Sequence, residues 1–199
     1  GCEKAEDISG DMVQSAFLQL KFSRYWERIG PFLRFLFEKG YTKLNYSMLI
    51  QHRKRNSPYP TVYSVDEITT VESSIDRATP AGIRNYAIIM LLSRYGIRSS
   101  DIAALSFENI DFTNNRIRFL QQKTDDPWES ELFPEVKDAL LDYIQNVRPE
   151  VSGCSQIFMT LVIPYQPMDC FAINTMVWTQ FGKSGVPLAE RRHGSRAVR

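Results

Sequence analysis

A mainly α-helical fold with a small β component, an α+β class, is what this 199-residue sequence predicts. Three observations carry that prediction. Apolar residues recur at three- and four-residue spacing through 11–40 and again through 64–105, the period of helices with one buried face. Strand character is confined to 116–133, where "RIRFLQQ" and "SELF" flank the polar "KTDDPWE", as in a single β-hairpin. Between the helical regions, "RNSPYPTVY" concentrates proline, asparagine and serine, residues that punctuate a chain rather than continue a helix. The prediction is therefore a partial helical unit over 1–57, a linker over 58–63 and a mixed α/β unit over 64–199.

Each element has a local cause. Asp11 caps a first helix with Met12, Val13, Ala16, Phe17 and Leu20 on one face, and Ser23 caps a second that ends at Gly40. Tyr25, Trp26, Ile29, Phe32, Leu33 and Leu36 share helical spacing and read as core, while Gly30-Pro31 should kink or divide that helix. A short helix follows from Asn45. Ser64-Val65-Asp66-Glu67 is a capping box for a helix carrying Ile68, Val71 and Ile75. Thr79-Pro80 starts the next helix, with Ile83, Ala87, Met90 and Leu91 on its apolar side and Gly96 at its left-handed terminus. Ser99 or Ser100 opens a short helix through Leu105. After the hairpin, Pro134 begins "PEVKDALLDYIQNV", and "MDCFAINTMVWTQFGK" forms a further helix.

Composition narrows the function classes. Hydrophobic residues make up 43% and charged residues 24%, values of a chain that buries a core. The apolar run "YAIIMLL" is far short of the roughly 20 residues that span a bilayer, so no membrane partner is expected, and "GCEKAEDISG" has no signal-peptide pattern. The expected location is the cytoplasm. Cys2, Cys154 and Cys170 show no metal-ligand spacing, so reduced thiols and no structural metal or other cofactor are predicted.

The net charge is only +1, but its distribution is uneven. Residues 51–60 carry +3 through Arg53, Lys54 and Arg55, residues 183–199 carry +4 with Arg191 and Arg192 among them, and the remainder sums to −6. Two such concentrations steer an anionic partner. Solvated surface is the plain alternative for a basic run.

Four residues stand out as candidate chemistry. Arg98, in "YGIRSSDI", falls at a junction between two helices, where Asp101 three residues on shares its face and can fix the guanidinium. An ordinary structural Arg–Asp pair is the alternative. Lys123 is the only lysine between Lys54 and Lys137 and sits at the hairpin turn, where it either solubilises the turn or donates a proton to a leaving oxygen. His193 and Arg196, three apart in "RRHGSR", project from one helix face. A histidine there exchanges a proton near neutral pH and an arginine fork grips two phosphate oxygens.

The order Arg, Lys, His-x-x-Arg resembles the tyrosine recombinases, the phage-integrase family. "ATPAGIRNYAIIMLLSRYGIRSSDIAALSFENIDFTNNRIRFLQQKT" resembles that family's first-arginine region and lysine-bearing hairpin, "HGSR" resembles its His-x-x-Arg box, and 11–57 looks like later helices of its core-binding domain. The resemblance implies a helical core-binding domain followed by a mixed α/β catalytic domain. It implies a bacterial, DNA-associated recombinase that cuts and rejoins double-stranded DNA as a homo-tetramer, through a 3′-phosphotyrosyl intermediate, without metal or nucleotide. Arg98 and Arg196 would hold the scissile phosphate, Lys123 would protonate the departing 5′-oxygen, His193 would assist at the nucleophile, and Asp101 would support Arg98. Arg53, Lys54, Arg55, Arg191 and Arg192 would contact the DNA backbone.

The sequence departs from the family at Ser195 and Ala197, where many members have leucine and histidine. All nine tyrosines precede His193, so none occupies the nucleophile's place. The expectation is a C-terminally truncated piece, inactive as it stands. A non-catalytic DNA-binding relative is the second reading.

Overall fold

The computed structural model describes residues 4–19, 23–50 and 62–187, except for the side chains of 23–27. Two compact units divide the chain, Gly1–Ser57 and Pro58–Arg199. Most of the predicted linker lies outside the described residues.

In the first unit, α1 (Gly10–Gln19) and α2 (Ser23–Glu38) precede a 3-10 turn over Tyr46–Leu49. The start of α1 corrects the sequence expectation. Ser9, not Asp11, caps it, its Oγ accepting from Met12 N at 3.3 Å and its carbonyl from Val13 N at 3.1 Å. Asp11 falls in the first turn, where a carboxylate meets the positive helix end.

A second correction concerns α2, which runs undivided through Gly30-Pro31. A proline inside a helix costs about 3 kcal/mol. Offsetting that, Leu33 and Leu36 are buried with Val13 and Ile50, and Phe17, Ile29 and Tyr46 pack against them. Phe32, expected in the core, is 55% exposed, because it lies beside rather than on the Leu33–Leu36 stripe. The side chains of Tyr25 and Trp26 lie outside the described residues. The helix stops at Glu38, and just beyond it Gly40 takes a φ of +74° in the left-handed region, with Tyr41 N donating to Leu36 O at 2.9 Å. Asn45 caps the following turn by accepting from Ser47 N.

The second unit is built around one helix. α3 (Val65–Ser73) opens on the predicted capping box, Glu67 N donating to Ser64 Oγ and Ser64 N to Glu67 Oε2. α4 (Pro80–Tyr95) starts at Thr79, which accepts from Gly82 N, and stops at Gly96 with φ +61°. Residues Ala87 to Leu92 of α4 are all buried. A helix apolar on every side belongs at a core's centre, and α4 packs against α3, α5 (Ser99–Ala104), α6 (Pro134–Asn146) and α7 (Cys170–Ser184).

An antiparallel sheet ordered β1 (Ile110–Asp111), β2 (Arg116–Leu120), β3 (Pro127–Glu131) lies beside this bundle. Its register pairs Ile117 with Ser130, Phe119 with Trp128 and Leu120 with Pro127. The second strand therefore begins three residues before "SELF". Trp128 draws Pro127 and Trp128 out of the expected turn by stacking on Phe119 at 4.8 Å between ring centroids. β1, which the sequence did not signal, is two residues long and pairs Ile110 with Ile117.

Two half-buried cations tie the framework together. Arg94 reaches from α4 to both oxygens of Glu72 on α3, at 2.8 and 3.0 Å, and to Glu135 on α6 at 3.4 Å. Arg148 donates only to carbonyls, those of Pro149, Cys154, Gln156 and Ile157, and lies over the Phe107 ring. That arrangement folds 154–157 back onto the end of α5, where Ile157 N donates to Leu105 O at 2.8 Å.

Candidate active site

Arg98 occupies the N-cap position of α5, one residue beyond Ile97 and two beyond the left-handed Gly96. Gly96 ends α4 and turns the chain, and Ile97 is buried at 3% exposure. The backbone of Arg98 is thereby fixed between two helices, its carbonyl accepting from Asp101 N and Ile102 N at 2.9 Å each. Its side chain is 33% exposed.

Asp101 is three residues on, with a side chain 2% exposed. One carboxylate oxygen, Oδ2, lies 3.8 Å from Arg98 Nη1, and the other accepts from Gln122 N at 2.8 Å. Arg98 Nη1 also donates to Gln121 Oε1. A helix N-terminus, an arginine and the end of β2 are thus joined around one buried carboxylate.

The turn that follows places Lys123. Gln121 N donates to Asp126 O at 3.0 Å, Asp125 N donates to Gln121 O at 2.9 Å, and Asp125 takes φ +55°. Lys123 projects from this turn as an exposed side chain. Among the described residues it makes no hydrogen bond or ion pair.

Arg98 and Asp101 line a concavity of about 110 Å³ together with Tyr95, Phe119, Gln121 and Trp128. Tyr95 stacks on Phe133 at 5.0 Å and meets Trp128 edge-on at 5.7 Å. Its hydroxyl donates to Glu131 O at 2.9 Å and accepts from Phe133 N at 2.8 Å. Burial, more than the nearby Glu135 and Glu131, holds the Tyr95 hydroxyl above the ordinary phenol pKa. The aromatic side of the concavity is therefore neutral, and its charged side is formed by Arg98 and Asp101.

Sequence reasoning named Arg98, Asp101 and Lys123, and these occupy one end of the second unit. His193, Arg196, Arg191 and Arg192, with Arg53, Lys54 and Arg55, lie outside the described residues. Gln121, Gln122 and Trp128 were missed. Gln121 was legible in principle, since alternation from Ile117 and Phe119 sets it on the inward face of β2. The partner of Gln122, a backbone N–H, leaves no trace in the sequence. No cluster of three potential metal ligands occurs among the described residues, and no helix there is long and apolar enough to cross a membrane.

Comparison with known proteins places this arrangement. Over 128 residues the chain is 33% identical to the Sinorhizobium fredii protein y4gC, which bears the name integrase/recombinase, covering 64% of this chain and 65% of that protein. Tyrosine recombinase XerC of Lactobacillus delbrueckii subsp. bulgaricus is 28% identical over 189 residues, 93% of this chain and 62% of the relative. The chain spans less than two thirds of the length of these curated relatives. Among solved structures, XerA recombinase superposes with a TM-score of 0.60 at 18% identity, covering 94% of this chain and 71% of that one. A lambda integrase dimer bound to a COC′ core site gives 0.66 at 13% identity, covering 98% and 69%. Both share the fold. The sequence model of the phage integrase family matches residues 63–196, from Tyr63 in the second unit through the His-x-x-Arg box. The chain belongs to the phage integrase family.

Proposed function

We propose that this chain is the DNA-engaging part of a site-specific recombinase that breaks and rejoins double-stranded DNA. The observation that carries the reading is the Arg98 fork, backed by buried Asp101 and joined to the strand that leads into Lys123. An arginine held from behind, with donors facing out, suits two non-bridging oxygens of one phosphate.

In the proposed reaction a tyrosine hydroxyl attacks the scissile phosphorus. A 3′-phosphotyrosyl ester forms, the bond to the 5′-oxygen breaks, and Lys123 gives that oxygen its proton. Reversal by a 5′-hydroxyl rejoins the strand. Arg98 and Arg196 offset the charge that builds on the phosphorane oxygens, and His193 moves the nucleophile's proton. Residues 1–57 correspond to a partial core-binding domain and 64–199 to a catalytic domain. Arg53, Lys54, Arg55, Arg191 and Arg192 meet the DNA backbone. Assembly as a tetramer on DNA, in the bacterial cytoplasm, belongs to the same reading. It draws support from relatives solved as a dimer on a core site and as a tetramer on a Holliday junction.

The testing experiment is a salt titration of duplex binding by the 199-residue chain. Binding should weaken steeply with salt, and Arg98→Gln should flatten the logarithmic slope by about one, the value of one lost phosphate contact. Absence of binding at low salt overturns the proposal. The second reading is DNA binding without strand cleavage. Protein expressed from the complete gene separates the two, because only a recombinase leaves a denaturant-resistant adduct on a nicked duplex.

A further inference from the structure

We infer that Gln121 is a positioning residue for Arg98, a neutral clamp that fixes one end of the guanidinium without cancelling its charge. The inference rests on the DNA-binding reading above. Its structural basis is the asymmetry of the fork. Arg98 Nη1 donates to Gln121 Oε1 and faces Asp101 Oδ2 at 3.8 Å, whereas Nε and Nη2 have no partner among the described residues. Among the described residues one corner is anchored and the other donors are uncommitted, the arrangement that bidentate capture of a phosphate requires.

The chemical character of the clamp matters. Asp101 stands beyond ordinary hydrogen-bond distance from the guanidinium and commits its second oxygen to Gln122 N. The direct acceptor is therefore an amide. A carboxylate at position 121 would form a charge-assisted pair, stronger than the amide bond and anionic, and would compete with phosphate for the same cation. A neutral acceptor gives orientation alone. Phe119 and Trp128, stacked on each other, line the same concavity as Gln121 and Arg98. Gln121 also begins the turn that presents Lys123, its carbonyl accepting from Asp125 N. The clamp thus gives the arginine and the lysine one common support.

Two variants at 121 separate charge from geometry. Gln121→Glu should flatten the salt slope of duplex binding by about one, as Arg98→Gln does, and lower affinity about tenfold at moderate salt. Gln121→Leu should keep the slope while weakening binding less. Leu120→Glu adds the same charge one residue earlier, at a side chain 62% exposed on the opposite face of β2, and should leave the slope closer to wild type. In an Arg98→Gln background, Gln121→Glu should have no further effect, because its action runs through Arg98. Equal slopes for Gln121→Glu and Leu120→Glu, or additive losses in the double variant, overturn the inference.

A second readout needs no DNA. The Arg98 Nε–H and Nη–H signals in nitrogen-15 NMR spectra of the free chain should show slowed guanidinium rotation in wild type and faster rotation in Gln121→Leu. If the chain fails to bind DNA yet Gln121→Leu frees the guanidinium, the functional reading falls and the clamp stands. Unchanged rotation overturns the clamp whatever DNA does.

Discussion

Replacing Asp101 with alanine should destabilise the second unit by about 2–5 kcal/mol. The carboxylate accepts from the Gln122 amide at 2.8 Å while almost fully buried, and a hydrogen bond to a charged group contributes about 1.5–3 kcal/mol. It also occupies the first turn of α5, where a negative charge adds roughly 0.3–1 kcal/mol. The ion pair with Arg98, at 3.8 Å and a third exposed, contributes at most about 1 kcal/mol. Asp101→Asn divides these roles: Oδ1 can still accept from Gln122, but an amide group replaces the oxygen facing Arg98. Urea unfolding followed by circular dichroism should show the midpoint falling in the order wild type, Asn, Ala with similar slopes. Hydrogen exchange at the Gln122 amide should accelerate in Ala far more than in Asn. A loss below about 1 kcal/mol for Asp101→Ala, or an unprotected Gln122 amide in wild type, would refute the assignment of this carboxylate as the tie between α5 and β2.

Other outcomes follow from the packing. A Cβ added at Gly82 would lie 1.8 Å from the carbonyl oxygen of Asp76, so Gly82→Ala should lower stability by about 1–3 kcal/mol or more, read from the same unfolding curves. Tyr95→Phe removes both hydrogen bonds of the hydroxyl, to Glu131 O and from Phe133 N, and should cost about 1–3 kcal/mol. Because the Tyr95 hydroxyl is held above its ordinary pKa by burial, the stability it supplies is complete below the free phenol value. That stability fades as pH rises through the higher folded value, and Tyr95→Phe should flatten the alkaline limb of an unfolding profile. Asp111 is held below the ordinary carboxylate range by hydrogen bonds from Asn114, with Thr113 N adding to them. Carbon-13 titration should therefore find its midpoint lowered, with the turn intact above the ordinary value and loosened only as pH falls through the folded one.

The helices that the sequence specified best carry their signal within a few residues. The Ser64–Glu67 box, Thr79-Pro80 before α4 and left-handed Gly96 after it are local chemistry, and all three appear in the structure. Where the readings failed, a distant partner decided. Trp128 joins a strand because Phe119 lies opposite, and Pro31 is accommodated because Leu33 and Leu36 bury against residues outside their own helix. The site divides in the same way. Arg98 and Lys123 stood out through their order and isolation, whereas Gln121 and the Gln122 amide acquire meaning only when β2 is brought to the start of α5. Residue type identifies the cations, and tertiary contact decides how they are aimed.

The carbonyl cage around Arg148 bears on how the charge of this chain should be counted. That guanidinium is turned inward onto backbone oxygens of 149–157, Arg94 is matched by Glu72 and Glu135, and Lys137 is bonded to Phe112 O and Asn115 Oδ1. Each adds a unit to the formal tally while displacing little of the counterion cloud around a polyanion. Three of the 24 basic residues of the chain are thus engaged within the protein, and a measured ion-release number should leave these three out.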